Sequence, residues 1–335
     1  MSSPEPAAPR PFPTVPAAPA PPDLASIDPA LDLAEEIRRL KKQKNVVLLA
    51  HYYQEEDIQD LADFVGDSLD LSRKAQQSSA SIIAFAGVRF MAETAKILNP
   101  QRKVVLPDYE AGCSLESSCP PEAFAAWRRE RPGAVSLTYI NCSAAVKALS
   151  DIIVTSSNAE KIVRSVPADR EILFAPDRHL GAFLSKKTGR AMTLWPGTCI
   201  VHEQFSEREI IKLKVRHPGA KLAAHPECPE AILAHADHVG STRSILNYVT
   251  TAPGRVFLIA TEEGIIHQMR KLAPDRKYIP VPPDNGCRCN ECPFMKLNTL
   301  EKLYLCIRDE RPEIVLPPEL LDAARRPLLR MLELS

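Results

Sequence analysis

Short uninterrupted apolar runs alternate with amphipathic stretches along most of this chain, and three of the runs end in polar tips: VVLLAHYYQ (46–54), VSLTYINC (135–142) and KLAAHPEC (221–228). Apolar runs without period-two alternation predict strands buried on both faces, as in a parallel sheet covered by helices. After each tip the pattern predicts an amphipathic helix, a short strand and a second helix, in LADFVGDSLDLSRKA (61–75), LSDIIVTSSNAEKIV (149–163) and LAHADHVGSTRSILN (233–247). A third strand follows as IIAFAG (82–87), ILFAPD (172–177) and VFLIAT (256–261), and a fourth as KVVLPD (103–108), AMTLWP (191–196) and KYIPVP (277–282). Helices at about 31–44, 119–131 and 203–217 open the three units.

The units repeat in register. A hydroxyl residue stands seventeen positions after each tip residue: His51 to Ser68, Tyr139 to Ser156, His225 to Thr242. From there a cysteine loop follows at 45, 43 and 45 positions, reaching Cys113, Cys199 and Cys287. An internal repeat of this length means that each unit brings the same kind of loop to the same kind of place. The expected fold is therefore α/β: three homologous three-layer α/β/α domains with parallel sheets, arranged with pseudo-threefold symmetry around a central site. Their expected bounds are 30–112, 113–198 and 199–286, followed at 287–335 by a third cysteine loop and C-terminal helices. Residues 1–29 hold ten of the 31 prolines. Such a segment forms neither helix nor core and is expected to be a disordered extension.

Composition narrows the function. With 45% hydrophobic and 25% charged residues the chain is an ordinary globular one. The 42 basic and 42 acidic residues cancel, so no net field favours nucleic acid or an anionic membrane, and any anion site must be built locally. No apolar run approaches the ~20 residues that span a bilayer, and the first residues lack a secretory pattern. A cytoplasmic enzyme with neither a nucleic-acid nor a membrane partner is expected. Nine cysteines in a reducing compartment are free thiols or metal ligands rather than disulfides.

Cys113, Cys199 and the group Cys287, Cys289 and Cys292 are the candidate metal ligands. One thiolate per unit makes a three-ligand site with an open coordination position, which is the mark of a Lewis-acid metal. Thiolates on three separate loops suit an iron-sulfur cluster as well as zinc. Cys142 and Cys306 are expected to be core, and Cys119 and Cys228 to be small buried hydrophobes. At the tips, His51, Tyr52, Tyr53, Tyr139, Asn141, His225 and Glu227 provide groups that transfer protons or orient carbonyls and carboxylates. A histidine at a strand end ordinarily forms only a local hydrogen bond, and it is the equivalent placement in three units that points to function. Ser68, Ser156 and Thr242 read either as N-caps or as parts of an anion hole built from helix N-termini. No G-x-G-x-x-G or Walker-type loop occurs, so nucleotide binding by those motifs is unsupported.

The strings AHYYQ, VGDSLDLS, TYINCSAAVKA, VTSSNA, WPGTCIVHE, AHPEC, VGSTRSI and CPFMKLNTLEKL, in this order over about residues 30–310, resemble quinolinate synthase, an iron-sulfur enzyme of de novo NAD synthesis. The resemblance implies three α/β domains around a 4Fe-4S cluster held by one cysteine from each. It implies condensation of iminoaspartate with dihydroxyacetone phosphate to quinolinate, and transient contact with an enzyme that supplies iminoaspartate. Carried over, the cluster ligands are Cys113, Cys199 and Cys292, the cysteine before PFMKLN. The substrate contacts are His51, Ser68, Tyr139, Asn141, Ser156, His225, Glu227 and Thr242, and Tyr53 is the active-site tyrosine, with Tyr53, Glu227 and His225 catalytic. For the third thiol, repeat spacing selects Cys287 and the family motif selects Cys292. Two other readings stand beside this one: an iron-sulfur radical enzyme of the diphthamide-synthesis type, and a zinc-organised binding module on Cys287, Cys289 and Cys292.

Overall fold

The structure, a computed structural model, describes residues 18–283 and 290–335. Cys287 and Cys289, and the first part of the proline-rich extension, lie outside the described residues. The first unit contains α1 (Leu33–Gln43), β1 (Val46–His51), α2 (Glu56–Leu61), β2 (Phe64–Gly66), α3 (Ser68–Gln77), β3 (Ile82–Ala86), α4 (Arg89–Leu98) and β4 (Lys103–Val105). The second contains α5 (Ser114–Ser118), α6 (Pro121–Arg129), β5 (Val135–Tyr139), α7 (Ala144–Leu149), β6 (Ile152–Val154), α8 (Ala159–Ser165), β7 (Ile172–Ala175), α9 (Arg178–Thr188) and β8 (Thr193–Leu194). The third contains α10 (Glu207–Arg216), β9 (Lys221–Ala224), α11 (Glu230–Leu233), β10 (His238–Val239), α12 (Thr242–Thr251), β11 (Val256–Ala260), α13 (Ile265–Leu272) and β12 (Lys277–Pro280).

Each unit carries one four-stranded sheet, and the strand order is the same in all three: β2-β1-β3-β4, β6-β5-β7-β8 and β10-β9-β11-β12. Every pairing within them is parallel. The central strands are flanked on both sides, Leu49 by Phe64 and Phe85, Leu137 by Ile152 and Phe174, and Ala223 by His238 and Ile259. All residues of β1, β3 and β7 are buried, which is why their sequences show no alternation.

One further feature recurs in all three units. Asp63, Asp151 and Asp237 each accept a backbone N–H from near the start of the central strand, at Leu48, Ser136 and Leu222, over 2.7, 2.8 and 2.8 Å. Each of these bonds spans 15 residues. A carboxylate there ties the segment leading into the short edge strand to its neighbour, in addition to the ladder hydrogen bonds.

The chain then returns to the first two units. Helix α14 (Leu300–Asp309) packs against α1 and β3, and α15 (Pro318–Leu334) covers α7, β6 and α4. Leu303 and Ile307, and then Leu320, Ala324, Leu328 and Met331, form their buried faces. Cys306 is buried in this layer. Cys142, Cys119 and Cys228 are also buried. Of the proline-rich extension, the described part includes a 3-10 turn, Leu24–Ser26, capped by Asp23. The Arg308 side chain donates to Ser26 at 3.0 Å, holding the turn on α14.

Candidate active site

In parallel sheets the carboxyl ends of the strands open onto the ligand crevice. Here His51 ends β1, Tyr139 ends β5 and His225 follows β9, and all three line one cavity. The first and third tips are built alike. His51 Nδ1 accepts the backbone N–H of Tyr53 at 3.2 Å, and His225 Nδ1 accepts that of Glu227 at 3.4 Å. In both rings the hydrogen therefore sits on Nε2, and in His225 it points to Ser156 Oγ at 3.3 Å. Burial depresses both imidazoles to about 3, each further lowered by a neighbouring histidine and partly opposed by Glu227. At neutral pH both are uncharged donors.

Glu227 is the hub of the cavity. Its Oε1 accepts the Tyr139 phenol at 2.6 Å, and its Oε2 lies 2.9 Å from His202 Nδ1. Burial raises this carboxyl and the hydrogen bonds that it accepts from His202 and Tyr139 lower it, with a net shift below its ordinary range. On the other face of His202, Nε2 lies 3.0 Å from Thr261 Oγ1, which in turn lies 2.7 Å from the Tyr53 phenol. Tyr53, Thr261, His202, Glu227 and Tyr139 thus form one hydrogen-bonded chain. Burial, and then the Glu227 charge, push both phenols up, so they stay protonated.

Ser68, Ser156 and Thr242 all line the cavity. Ser68 and Thr242 open α3 and α12, but neither caps its helix. Asp67 accepts from Leu69 N and Asp70 N, and Ser241 accepts from Ser244 N. An aspartate one residue earlier satisfies two free N–H groups at once, which leaves the Ser68 hydroxyl for the cavity. Ser156 stands three residues ahead of α8. Asn141 also lines the cavity, and its Oδ1 is buried with no partner among the described residues. Tyr52 differs from its neighbours: it turns into the core of the third unit with Ile245 and Phe257.

Cys113, Cys199 and Cys292 line the same cavity, and each lies within electrostatic reach of the other two. Each precedes a helical turn whose N–H groups meet its sulfur: Leu115 and Glu116 for Cys113, His202 for Cys199, and Phe294 and Met295 for Cys292. Burial pushes all three thiols up, Cys292 to about 11. Among its described lining residues the cavity has no lysine or arginine. Three converging sulfurs with N–H donors and no protein cation to balance them suit a metal that supplies the positive charge. Cys199, His202 and Glu227 also bring one ligand atom each to within 4.8 Å of one another. Glu262 secures the third loop, accepting Cys292 N at 3.3 Å and lying 3.4 Å from Lys296 Nζ.

His202, Thr261, Asp67 and Glu262 are site residues that the motif reading passed over. His202 had a signal, standing three residues after Cys199 and so on the same face of a helical turn. Thr261 and Glu262 follow the third strand, at the same sheet edge as the tips.

The family model of quinolinate synthetase A protein matches residues 35–333. The chain is 58% identical over 305 residues to the quinolinate synthase of Nostoc punctiforme, covering 91% of this chain and 94% of that one. It is 58% identical over 314 residues to that of Synechococcus sp., covering 93% and 98%. With that of Chloroherpeton thalassium the identity is 56% over 306 residues, covering 91% and 95%.

Proposed function

Because the chain belongs to the quinolinate synthase family, we propose that it condenses iminoaspartate with dihydroxyacetone phosphate, a transferase reaction that releases phosphate and two waters and closes the pyridine ring of quinolinate. The observation that carries this reading is the convergence of three strand-end tips and three thiols from separate loops on one cavity. Cys113, Cys199 and Cys292 are the residues that would hold a 4Fe-4S cluster. Held by three thiolates, such a cluster supplies a Lewis-acidic iron with an open position.

Both substrates are anions, and among the described residues the cavity lining has no lysine or arginine to meet them. The chain therefore binds them through neutral donors: the Ser68, Ser156 and Thr242 hydroxyls, the Asn141 amide and the Nε2–H groups of His51 and His225. The N-terminus of α12 adds its aligned peptide dipoles. Neutral histidines bind an anion without a charge that would have to be desolvated.

Glu227 and Tyr53 exchange protons with the reacting groups, and His225 holds the substrate beside them. Glu227 is ionised and enclosed, so it can accept a proton, while the phenols of Tyr53 and Tyr139 keep theirs until a stronger base appears. Carbon-carbon bond formation next to a carbonyl needs a proton removed, and each dehydration needs one delivered to the departing hydroxyl. The hydrogen-bonded chain through Glu227 places acceptor and donors around the same space. Iminoaspartate hydrolyses readily in water, which supports a transient encounter with the enzyme that makes it. The cytoplasm supplies both substrates and the reducing conditions that the thiols require.

The test is anaerobic purification, with iron, sulfide and zinc measured beside quinolinate formation from the two substrates. Iron and sulfide near four each per chain, with quinolinate produced, is the expected result. About one zinc without iron or sulfide would reject the cluster, and an S-adenosylmethionine-dependent radical would favour the diphthamide-type reading.

A further inference from the structure

We propose that Lys147, buried behind the cavity wall, is a positioning residue for this reaction, fixing the turn that aims the Asn141 amide into the cavity. The inference rests on the substrate-binding role proposed for Asn141. Lys147 is 0% exposed and is not among the residues that line the cavity, so it acts only through what it holds.

Asn141 stands at the apex of a three-residue turn at the end of the second tip. One hydrogen bond closes the turn, from Cys142 N to the Ile140 carbonyl at 2.8 Å. A single bond of this kind leaves the peptide planes on either side of the apex free to tilt, and the direction of the Asn141 side chain tilts with them. Lys147 removes that freedom. Its ammonium donates to both flanking carbonyls, to Ile140 O at 3.0 Å and to Cys142 O. The lysine belongs to α7, the helix that follows the turn, and its side chain reaches back across five and seven residues to these two oxygens.

The surrounding backbone is tied as well. Ile140 N donates to Val154 O at the end of β6, and Ala144 N donates to Glu93 Oε2 of the first unit, both at 2.8 Å. Asn141 Oδ1 has no partner among the described residues, which leaves it for a ligand. A buried ammonium persists only where acceptors and opposite charge surround it. Glu93 and Glu116 lie within electrostatic reach of Lys147, and the Phe90 ring centroid is 5.2 Å from its Nζ. A neutral side chain could fill the same volume against Phe90, but it could not bond two carbonyls at once.

Lys147→Met keeps the length of the side chain and removes its donors. The expected result is a fall in kcat/KM of about tenfold and a weakening of quinolinate binding by about the same factor, with iron content unchanged. A double-mutant cycle with Asn141→Ala separates positioning from general support of the fold. Because Lys147 acts through Asn141, adding Lys147→Met to Asn141→Ala should lower kcat/KM by less than about twofold further. An equal fall in both backgrounds would overturn the inference, as would parent kcat/KM and quinolinate affinity in Lys147→Met. Lys147→Gln, whose amide is too short to bond both carbonyls, goes through the same cycle with the same expectation and serves if the methionine variant does not fold. Full activity and quinolinate affinity in Asn141→Ala would instead overturn the role proposed for Asn141 itself.

Discussion

Tyr139 donates its phenolic hydrogen to Glu227 across 2.6 Å, joining the end of β5 to the tip that follows β9, 88 residues further on. Both side chains are at most 5% exposed. Removing the donor would leave a carboxylate oxygen buried and under-satisfied, which costs about 1–3 kcal/mol. Tyr139→Phe is therefore expected to lower stability in urea by about that amount and kcat/KM by at least about tenfold. Unchanged values for both would show that the contact matters neither to the fold nor to the reaction.

The three cysteines of the cavity should behave alike. Cys113→Ala, Cys199→Ala and Cys292→Ala are each expected to lose most of the iron and the quinolinate-forming activity, and Cys287→Ala to retain both. Iron and sulfide content after anaerobic purification is the measurement. A full cluster in Cys292→Ala together with its loss in Cys287→Ala would return the third ligand to the residue that the repeat spacing selects.

Gly197 tests how closely the second cysteine loop is built. A Cβ added there would meet Ser118 Oγ and the carbonyl oxygen of Pro176, the latter at 2.5 Å. A backbone carbonyl cannot yield as a flexible side chain can. Gly197→Ala should cost about 1–3 kcal/mol of stability and displace the loop carrying Cys199, lowering metal content in parallel. Thermal melting and metal analysis of one preparation check both effects, and a variant that melts and loads like the parent would contradict them.

The two tip histidines make a prediction about pH. Burial depresses both from the ordinary 6.5 to about 3. Between about pH 6.5 and pH 3 the unfolded chain thus binds more protons than the folded one, and the contribution of these groups to stability falls as the pH drops through that window. Imidazole resonances of His51 and His225 should stay at their neutral positions from pH 8 to pH 5. In His51→Asn, stability should fall less steeply with acid over this range than in the parent. A resonance of either histidine titrating near 6.5 would contradict the buried, uncharged state.

Much of the fold was legible because its signals are local. The strands are apolar runs that need no partner to be recognised, and the seventeen-residue step from tip to hydroxyl held because each unit uses the same strand, helix, strand and helix in the same order. Even the aspartate straps follow the repeat, with Asp63, Asp151 and Asp237 standing twelve positions after His51, Tyr139 and His225. What misled was a matter of one residue. Hydroxyl residues are good N-caps, so Ser68 and Thr242 were natural candidates, yet the neighbouring Asp67 and Ser241 take that place.

The sequence by itself determined which residues would end strands, which loops would carry thiols and which polar groups the repeat would bring to each sheet edge. It left open which of those groups touch. His202 reaches Thr261 across 59 positions, Tyr139 reaches Glu227 across 88, and Tyr53 reaches Thr261 across 208. Only the packing of the three units decided those contacts. The physical reason is one of range: strand and cap preferences act over a few residues, whereas the direction of a buried hydrogen bond depends on every neighbour that excludes water from it.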